Sequence, residues 1–219
     1  MIRSLVSARA GHLFLWWGGA ALALLAFVRI TREFLEGDVD ARDRSILHAV
    51  DKIRTPWLTG MAVDITALGS ITLVVLFSAL ALVVLLALRD RLGALQLLAA
   101  SVGAAILTTV TKDIIERARP EEAQRLLVVW GFSYPSGHSV STAALYLTIA
   151  ILAGRHVPQA GARAVIFLAL LAVPILVGVS RVYLGVHYAT DVVSGISLGA
   201  AWALLLAGWF TFVARRGTA

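Results

Sequence analysis

Residues 164–213 read AVIFLALLAVPILVGVSRVYLGVHYATDVVSGISLGAAWALLLAGWFTFV. Two apolar runs of spanning length, Ala164–Val182 and Val192–Val213, flank a short polar stretch, SRVYLGVHYATD at Ser180–Asp191. A bilayer-crossing helix needs about 20 mostly apolar residues, and in hydrocarbon the backbone must satisfy its own hydrogen bonds, which a helix does. The stretch therefore reads as a transmembrane helical hairpin with an arginine, a histidine and an aspartate at its turn. Ionisable groups at such a place are costly, which makes them candidates for a site.

Outward from this hairpin lie four more apolar segments, at Leu13–Ile30, Ile65–Leu88, Leu92–Val110 and Val140–Ala153, the last reaching back to His138. The expected fold is all-α: a polytopic membrane protein of six transmembrane helices, with residues 1–219 as one membrane-embedded domain. Composition agrees, since 59% of the 219 residues are hydrophobic and 15% charged, against about 45–50% and about 25% in soluble domains. The chain has no cysteine, which excludes disulfides, thiolate nucleophiles and cysteine-held metals. A net charge of +6 comes from Lys and Arg scattered through short loops. They read as topology signals and site residues, not as a nucleic-acid surface.

The first segment follows Arg3 and Arg9 but is long, carries Trp16 and Trp17, and runs into Arg29 and Arg32 without a small-residue cleavage site. It is expected to be a retained anchor. Between the first two spans, Ile46, Val50, Ile53 and Trp57 recur at helical spacing, which predicts a short amphipathic helix on the membrane surface. With six spans and the N-terminus inside, 8 of the 19 Lys and Arg residues fall on the inner side. That raw count runs against the positive-inside rule, although the short inner loops hold only one acid, Asp90.

Three polar clusters interrupt the apolar chain: KDIIERARP at Lys112–Pro120, YPSGHS at Tyr134–Ser139 and SRVYLGVHYATD at Ser180–Asp191. In a six-span chain the end of the third span, the start of the fourth, the end of the fifth and the start of the sixth share one side of the membrane. Lys112, Arg119 and Arg181 then offer three cations, and the arginine fork suits phosphate oxygens. Pro120 disfavours helix at Arg119, which places Lys112 on the last helical turn and Arg119 just beyond. Pro135-Ser136-Gly137 leading into a helix presents backbone N–H groups and a positive dipole end to an anion. On a helix His187 and Asp191 share a face, so the carboxylate fixes the imidazole tautomer and frees the other nitrogen to attack. His138 is then the natural proton donor to the leaving oxygen. Arg117, Arg125, Glu121 and Glu122 read as ordinary interfacial residues, and His48 carries no catalytic role. No metal-ligand cluster accompanies the histidines, so neither metal nor cofactor is expected.

At these residues the sequence resembles the type 2 phosphatidic acid phosphatase family of integral membrane lipid phosphatases. Its three-part signature appears as Lys112 to Arg119-Pro120, as Pro135 to His138, and as Ser180-Arg181, His187 and Asp191. The resemblance implies metal-independent hydrolysis of a lipid phosphate or pyrophosphate through a phosphohistidine. His187 matches the nucleophile, Asp191 the residue that orients it and His138 the proton donor. Lys112, Arg119, Ser136, Gly137 and Arg181 match the positions that hold the phosphate. It further implies a bacterial inner membrane, a site facing the periplasm and cytoplasmic termini. Undecaprenyl pyrophosphate or a phosphatidyl-type lipid phosphate is the expected substrate, and the bilayer the expected setting. Two alternatives stand beside hydrolysis: phosphotransfer from the same phosphohistidine to another acceptor, and a non-catalytic lipid-phosphate binder or transporter. Oligomeric state is not legible.

Overall fold

The structure, a computed structural model, describes residues 2–216, with side chains from Leu13 onward. Arg3 and Arg9, counted for orientation above, lie outside the described side chains. The elements are α1 (Ile2–Leu35), α2 (Asp40–Asp51), α3 (Pro56–Ala67), α4 (Ile71–Ala87), α5 (Arg91–Ile115), α6 (Gly137–His156), α7 (Ala160–Tyr183) and α8 (Ala189–Arg216). A single 3-10 turn, Glu122–Gln124, interrupts the long α5–α6 connection, and no strand occurs among the described residues.

Five helices are long and apolar enough to cross a membrane: α1 over Leu13–Leu35, α5, α6, α7 and α8. The sixth span is not the single helix expected over Ile65–Leu88. In its place stands the pair α3–α4, bent by 46° at a break, which is long and apolar enough for a sixth span when taken as one. Local chemistry explains where each of the two helices starts. Pro56 occupies the first helical position of α3, where its missing N–H costs nothing, and the Thr55 hydroxyl caps it by accepting from Leu58 N–H at 3.3 Å. The Ser70 hydroxyl accepts from Leu73 N–H at 3.3 Å and starts α4 afresh. At Gly69, within the break, a Cβ would sit 2.8 Å from Val177 Cγ1 and 3.0 Å from His138 Cδ2. The bend thus fits a glycine against the His138 ring.

The amphipathic helix exists as α2, but shorter than its spacing predicted. It ends at Asp51, so Ile53 falls in the following turn and Trp57 on α3. Nor does α2 lie free on the surface. Leu47 packs with Val182 of α7 and Val192 of α8, and Asp43 is fully buried. The helix caps the polar end of the α7–α8 hairpin.

The core is built on α6, against which α5, α7 and α8 pack, while α1 packs on α8. Small residues four apart allow this closeness, as in membrane helix pairs generally. A Cβ at Gly199 would lie 2.3 Å from the Val140 carbonyl oxygen, and one at Gly195 2.8 Å from that of Ser136. The α6–α8 pairing brings Ser136 and Asp191, at the two helix starts, side by side.

Candidate active site

α5 carries Lys112 in its last turn, as expected, and stops at Ile115. Glu116 is left-handed (φ 49°), and its N–H donates to the Lys112 carbonyl at 2.9 Å. The helix therefore ends five residues before Pro120. Beyond it the chain is extended, and side chains alternate: Arg117 is buried and Arg119 half-buried, while Glu116 and Ala118 are exposed. Both arginines turn inward. Lys112 Nζ donates to the carbonyls of Phe132 and Ser133. Arg119 is fastened to the same loop through the Gly131 carbonyl at 2.8 Å and the Trp130 carbonyl at 3.1 Å.

The second cluster enters α6 through Ser133, Tyr134, Pro135 and Ser136, all buried. One expectation needs amending: the Ser136 N–H is not open to an anion but donates to the Asp191 carbonyl at 3.0 Å. α6 begins at Gly137, and no side chain caps its first turn. The Ser136 hydroxyl is fully buried and has no hydrogen-bond partner, and the same holds for Nε of Arg181. Buried donors are almost always paired, so two such groups at one end of the bundle mark a place where acceptors are needed. Arg181 Nη1 donates to Thr66 Oγ1 at 3.1 Å. His138 lies within electrostatic reach of Arg181, His187, Arg119 and Lys112.

His187 and Asp191 meet, but not by sharing a helical face. His187 lies in the turn before α8, and Asp191 sits in the first turn of that helix. Asp191 Oδ2 accepts from the backbone N–H of Tyr188 at 2.9 Å and from the Ser133 hydroxyl at 2.5 Å. This is the reciprocal bond of an N-terminal capping arrangement. His187 Nδ1 stands 3.4 Å from Asp191 Oδ2 and 3.3 Å from Ser133 Oγ. A carboxylate accepts only, so Nδ1 carries the proton and Nε2 keeps its lone pair. On that side Arg119 Nη1 lies 3.2 Å away and also donates to the Val186 carbonyl at 2.9 Å. Gly185 makes the turn possible: its φ is 69°, and a Cβ there would be 2.1 Å from the Gln124 carbonyl oxygen.

The residues missed in the sequence are those that hold Asp191. Arg117, assigned above to the interfacial class, is instead buried at the centre of a network. It donates to Asp191 Oδ1 at 2.7 Å, to Thr190 Oγ1 at 2.8 Å and to Asp43 Oδ2 at 2.8 Å. The Phe34 and Tyr188 rings cover it, with centroids at 4.4 and 4.2 Å. Asp43 accepts in addition from the Thr190 hydroxyl and, at 3.1 Å, from its N–H. One signal for Arg117 was present: a chain kept out of helix by Pro120 has period two, which puts 117 on the side of 119. Asp43 had none, because it reaches the site from α2, 74 residues away from Arg117 in sequence.

Electrostatics follow the geometry. Burial pushes His187 down to about 4, against the opposing pull of Asp191, so its imidazole is neutral at ordinary pH. Burial also lowers Arg119, with Asp191 acting the other way. For Arg117 burial works against the charge, but Asp191 and Asp43 outweigh it and hold the guanidinium above its ordinary value. Among the described residues no group of three His, Asp or Glu side chains is placed to hold a metal ion.

Histidines, a buried carboxylate and convergent cations gathered at one end of a helical bundle are the groups that a lipid phosphate would meet. The PAP2 superfamily profile matches residues 93–215. Phosphatidylglycerophosphatase B of Bacillus subtilis is 34% identical over 78% of this chain and 84% of its own length. The chain belongs to the PAP2 superfamily and is one of its lipid phosphatases. It is also similar to a lipid A 1-phosphatase of Rhizobium johnstonii, 31% identical over 47% of this chain and 41% of that protein. The crystal structure of a transmembrane PAP2-type phosphatidylglycerolphosphate phosphatase from Bacillus subtilis superposes with a TM-score of 0.82 at 32% identity. It covers 87% of this chain and 95% of that one. The Aquifex aeolicus LpxE structure shares the fold, with a TM-score of 0.59 at 24% identity over 74% of this chain and 93% of its own.

Proposed function

We propose that the chain hydrolyses a phosphate monoester on a phosphatidyl-type membrane lipid, with phosphatidylglycerophosphate as the first candidate, through a phosphohistidine at His187. The observation that carries this reading is the polarity of the His187 ring, with Nδ1 toward Asp191 and Ser133 and Nε2 toward Arg119. In the first step the Nε2 lone pair forms the bond to phosphorus as the P–O bond to the lipid breaks. His138 gives its proton to the departing alkoxide. Arg119 exchanges its contact with Nε2 for a phosphate oxygen, joined by Lys112, Arg181, the Ser136 hydroxyl and the Gly137 N–H at the helix start. In the second step water, losing its proton to His138, attacks phosphorus and the P–N bond breaks. Asp191 holds the tautomer and stabilises the imidazolium character that develops. Arg117, with Asp43 behind it, holds Asp191.

The reading places the site on the periplasmic side of a bacterial inner membrane, with both termini in the cytoplasm. Its support is the resemblance to bacterial membrane phosphatases of this family; the common end of the bundle adds that all three clusters share whichever side that is. A lipid tail would stay among apolar helices while the headgroup meets the cations.

The test is phosphate release by detergent-purified protein in EDTA from phosphatidylglycerophosphate, phosphatidate and undecaprenyl pyrophosphate, beside His187→Ala. Release by wild type alone, blocked by vanadate, supports the reading and ranks the substrates. An acid-labile protein-bound phosphate, trapped in wild type and missing in the variant, supports the intermediate. Turnover that survives in His187→Ala, or that EDTA abolishes, overturns the mechanism. Release that appears only when a second lipid or sugar is supplied favours phosphotransfer.

A further inference from the structure

At the opposite end of the bundle from His138 and His187 lies a cavity of about 1000 Å³. It opens among the start of α5, the end of α6, the start of α7, the end of α8 and Trp16 of α1. Its walls are apolar, with Ile151, Phe167, Leu168 and Phe210 among them, but three guanidinium groups line it, Arg155, Arg163 and Arg215, against one carboxylate, Asp90. That carboxylate is engaged: Oδ2 lies 3.0 Å from His156 Nε2, and Oδ1 accepts from the Gly93 N–H at 2.8 Å.

Helix ends explain part of this charge. Arg155 and Arg215 sit in the last turns of α6 and α8, where the carbonyl end of the helix favours a cation. Arg163 has no such reason. It ends the first turn of α7, at the positive end of that helix, which holds no acidic residue there. A cation at this place is disfavoured unless an anion offsets it. Arg155 is also held in place, since its Nη2 donates at 2.9 Å to Oε1 of Gln96, a fully buried amide. Alongside the cavity α7 presents exposed apolar side chains, Val165 next to the wall residues Phe167 and Leu168.

We propose that this cavity binds the headgroup of an anionic phospholipid from the leaflet opposite the histidine site. The phosphodiester would sit between Arg155, Arg163 and Arg215, and an acyl chain would run along the Val165–Leu168 face of α7. Charge complementarity selects this occupant: a basic pocket between spanning helices at one membrane interface suits an anionic headgroup, and its volume matches small-molecule sites of about 300–1,000 Å³. The inference does not rest on the chemistry proposed for His187.

The experiment is native mass spectrometry of the full chain released from detergent with equimolar phosphatidylglycerol and phosphatidylcholine, with vanadate present to occupy the histidine site. Wild type should retain phosphatidylglycerol over phosphatidylcholine by at least about tenfold, and the Arg163→Gln/Arg215→Gln pair should bring the ratio close to one. Turnover of a short-chain lipid phosphate by the pair, equal to wild type, certifies its fold. If that pair does not fold, Arg163→Gln alone should still lower the ratio several-fold, about half the effect on a logarithmic scale. No preference in wild type, or a preference that survives the substitutions, overturns the proposal. So does a preference that vanishes with vanadate, which would assign the lipid to the histidine site, or a dimer that the same substitutions dissociate with the lipid ratio unchanged.

Discussion

α6 and α7 are neighbours with opposite characters. Among the five single-helix spans α7 is the most hydropathic, at a mean of 2.5, yet only 17% of its apolar window is buried. α6 is the least hydropathic, at 1.3, and 67% of its window is buried. In a water-soluble protein the order would be reversed. Inside a bilayer lipid is as apolar as leucine, so hydropathy measures contact with lipid, and small or polar residues mark contact with other helices. α6 buries Ser139, Thr142 and Thr148 along with its alanines and leucines. It also begins the site, through Gly137 and His138. Burial and function coincide on the span whose sequence looks least like a membrane helix.

The largest predicted effect tests whether the polar end works as one unit. On the proposed mechanism His187→Ala should lower kcat by about 10⁴-fold or more, and Asp191→Asn by a comparable factor, because each removes either the attacking atom or its tautomer. Steady-state phosphate release measures both. The pH dependence sharpens this. With burial holding His187 at about 4, well below the ordinary 6.5, the proposed nucleophile stays neutral as pH falls through 6.5 and is lost only as it approaches 4. The acid limb of kcat/KM for the free enzyme should therefore lie near 4. A limb near 6.5 would mean that the ring is not buried as described.

The next effect concerns Arg117. Its removal leaves Asp43 and Asp191 buried without their cation, and breaking a buried pair in this way costs about 3–5 kcal/mol. Arg117→Ala should lower thermal stability in detergent and kcat together, while Arg117→Lys should restore most of the stability and less of the kcat, since lysine replaces the charge but not the fork that reaches three partners. A fully active, fully stable Arg117→Ala would detach Asp191 from the network.

These residues also show what the sequence could carry. Six spans, their order and the common side of three polar clusters follow from apolar runs and parity, which are properties of single segments. So do His138, His187 and Asp191, because each interrupts an apolar run. The α3–α4 bend was hidden, since Gly69-Ser70 in a hydrophobic stretch reads the same whether the chain continues or turns there. The Arg117–Asp43 pair was hidden for a different reason. Charges in an interhelical segment look alike whether solvated or buried, and only tertiary contact between α2 and the α7–α8 hairpin separates the two cases. Even where the pairing was right its cause differed. His187 and Asp191 meet through a capping turn instead of along a helix, because Gly185 reverses the chain before α8 begins.

The smallest effects come from a matched pair of leucines. Leu145 on α6 is 1% exposed and packs with Leu85, Ala94, Leu97 and Leu152, whereas Leu176 on α7 is 50% exposed. Leu145→Ala should cost about 2–5 kcal/mol, because the close-packed surroundings collapse only partly into the space left. Leu176→Ala should stay within about 0.5 kcal/mol. The reason is specific to the bilayer: a shortened side chain facing lipid is replaced by an acyl chain of the same polarity, so neither a transfer term nor a lasting void results. Thermal unfolding of both variants in one detergent measures the difference. Equal losses would mean that α7 is covered by protein on that face. The contrast between α6 and α7 would then reflect a missing neighbour and not the solvent that each helix meets.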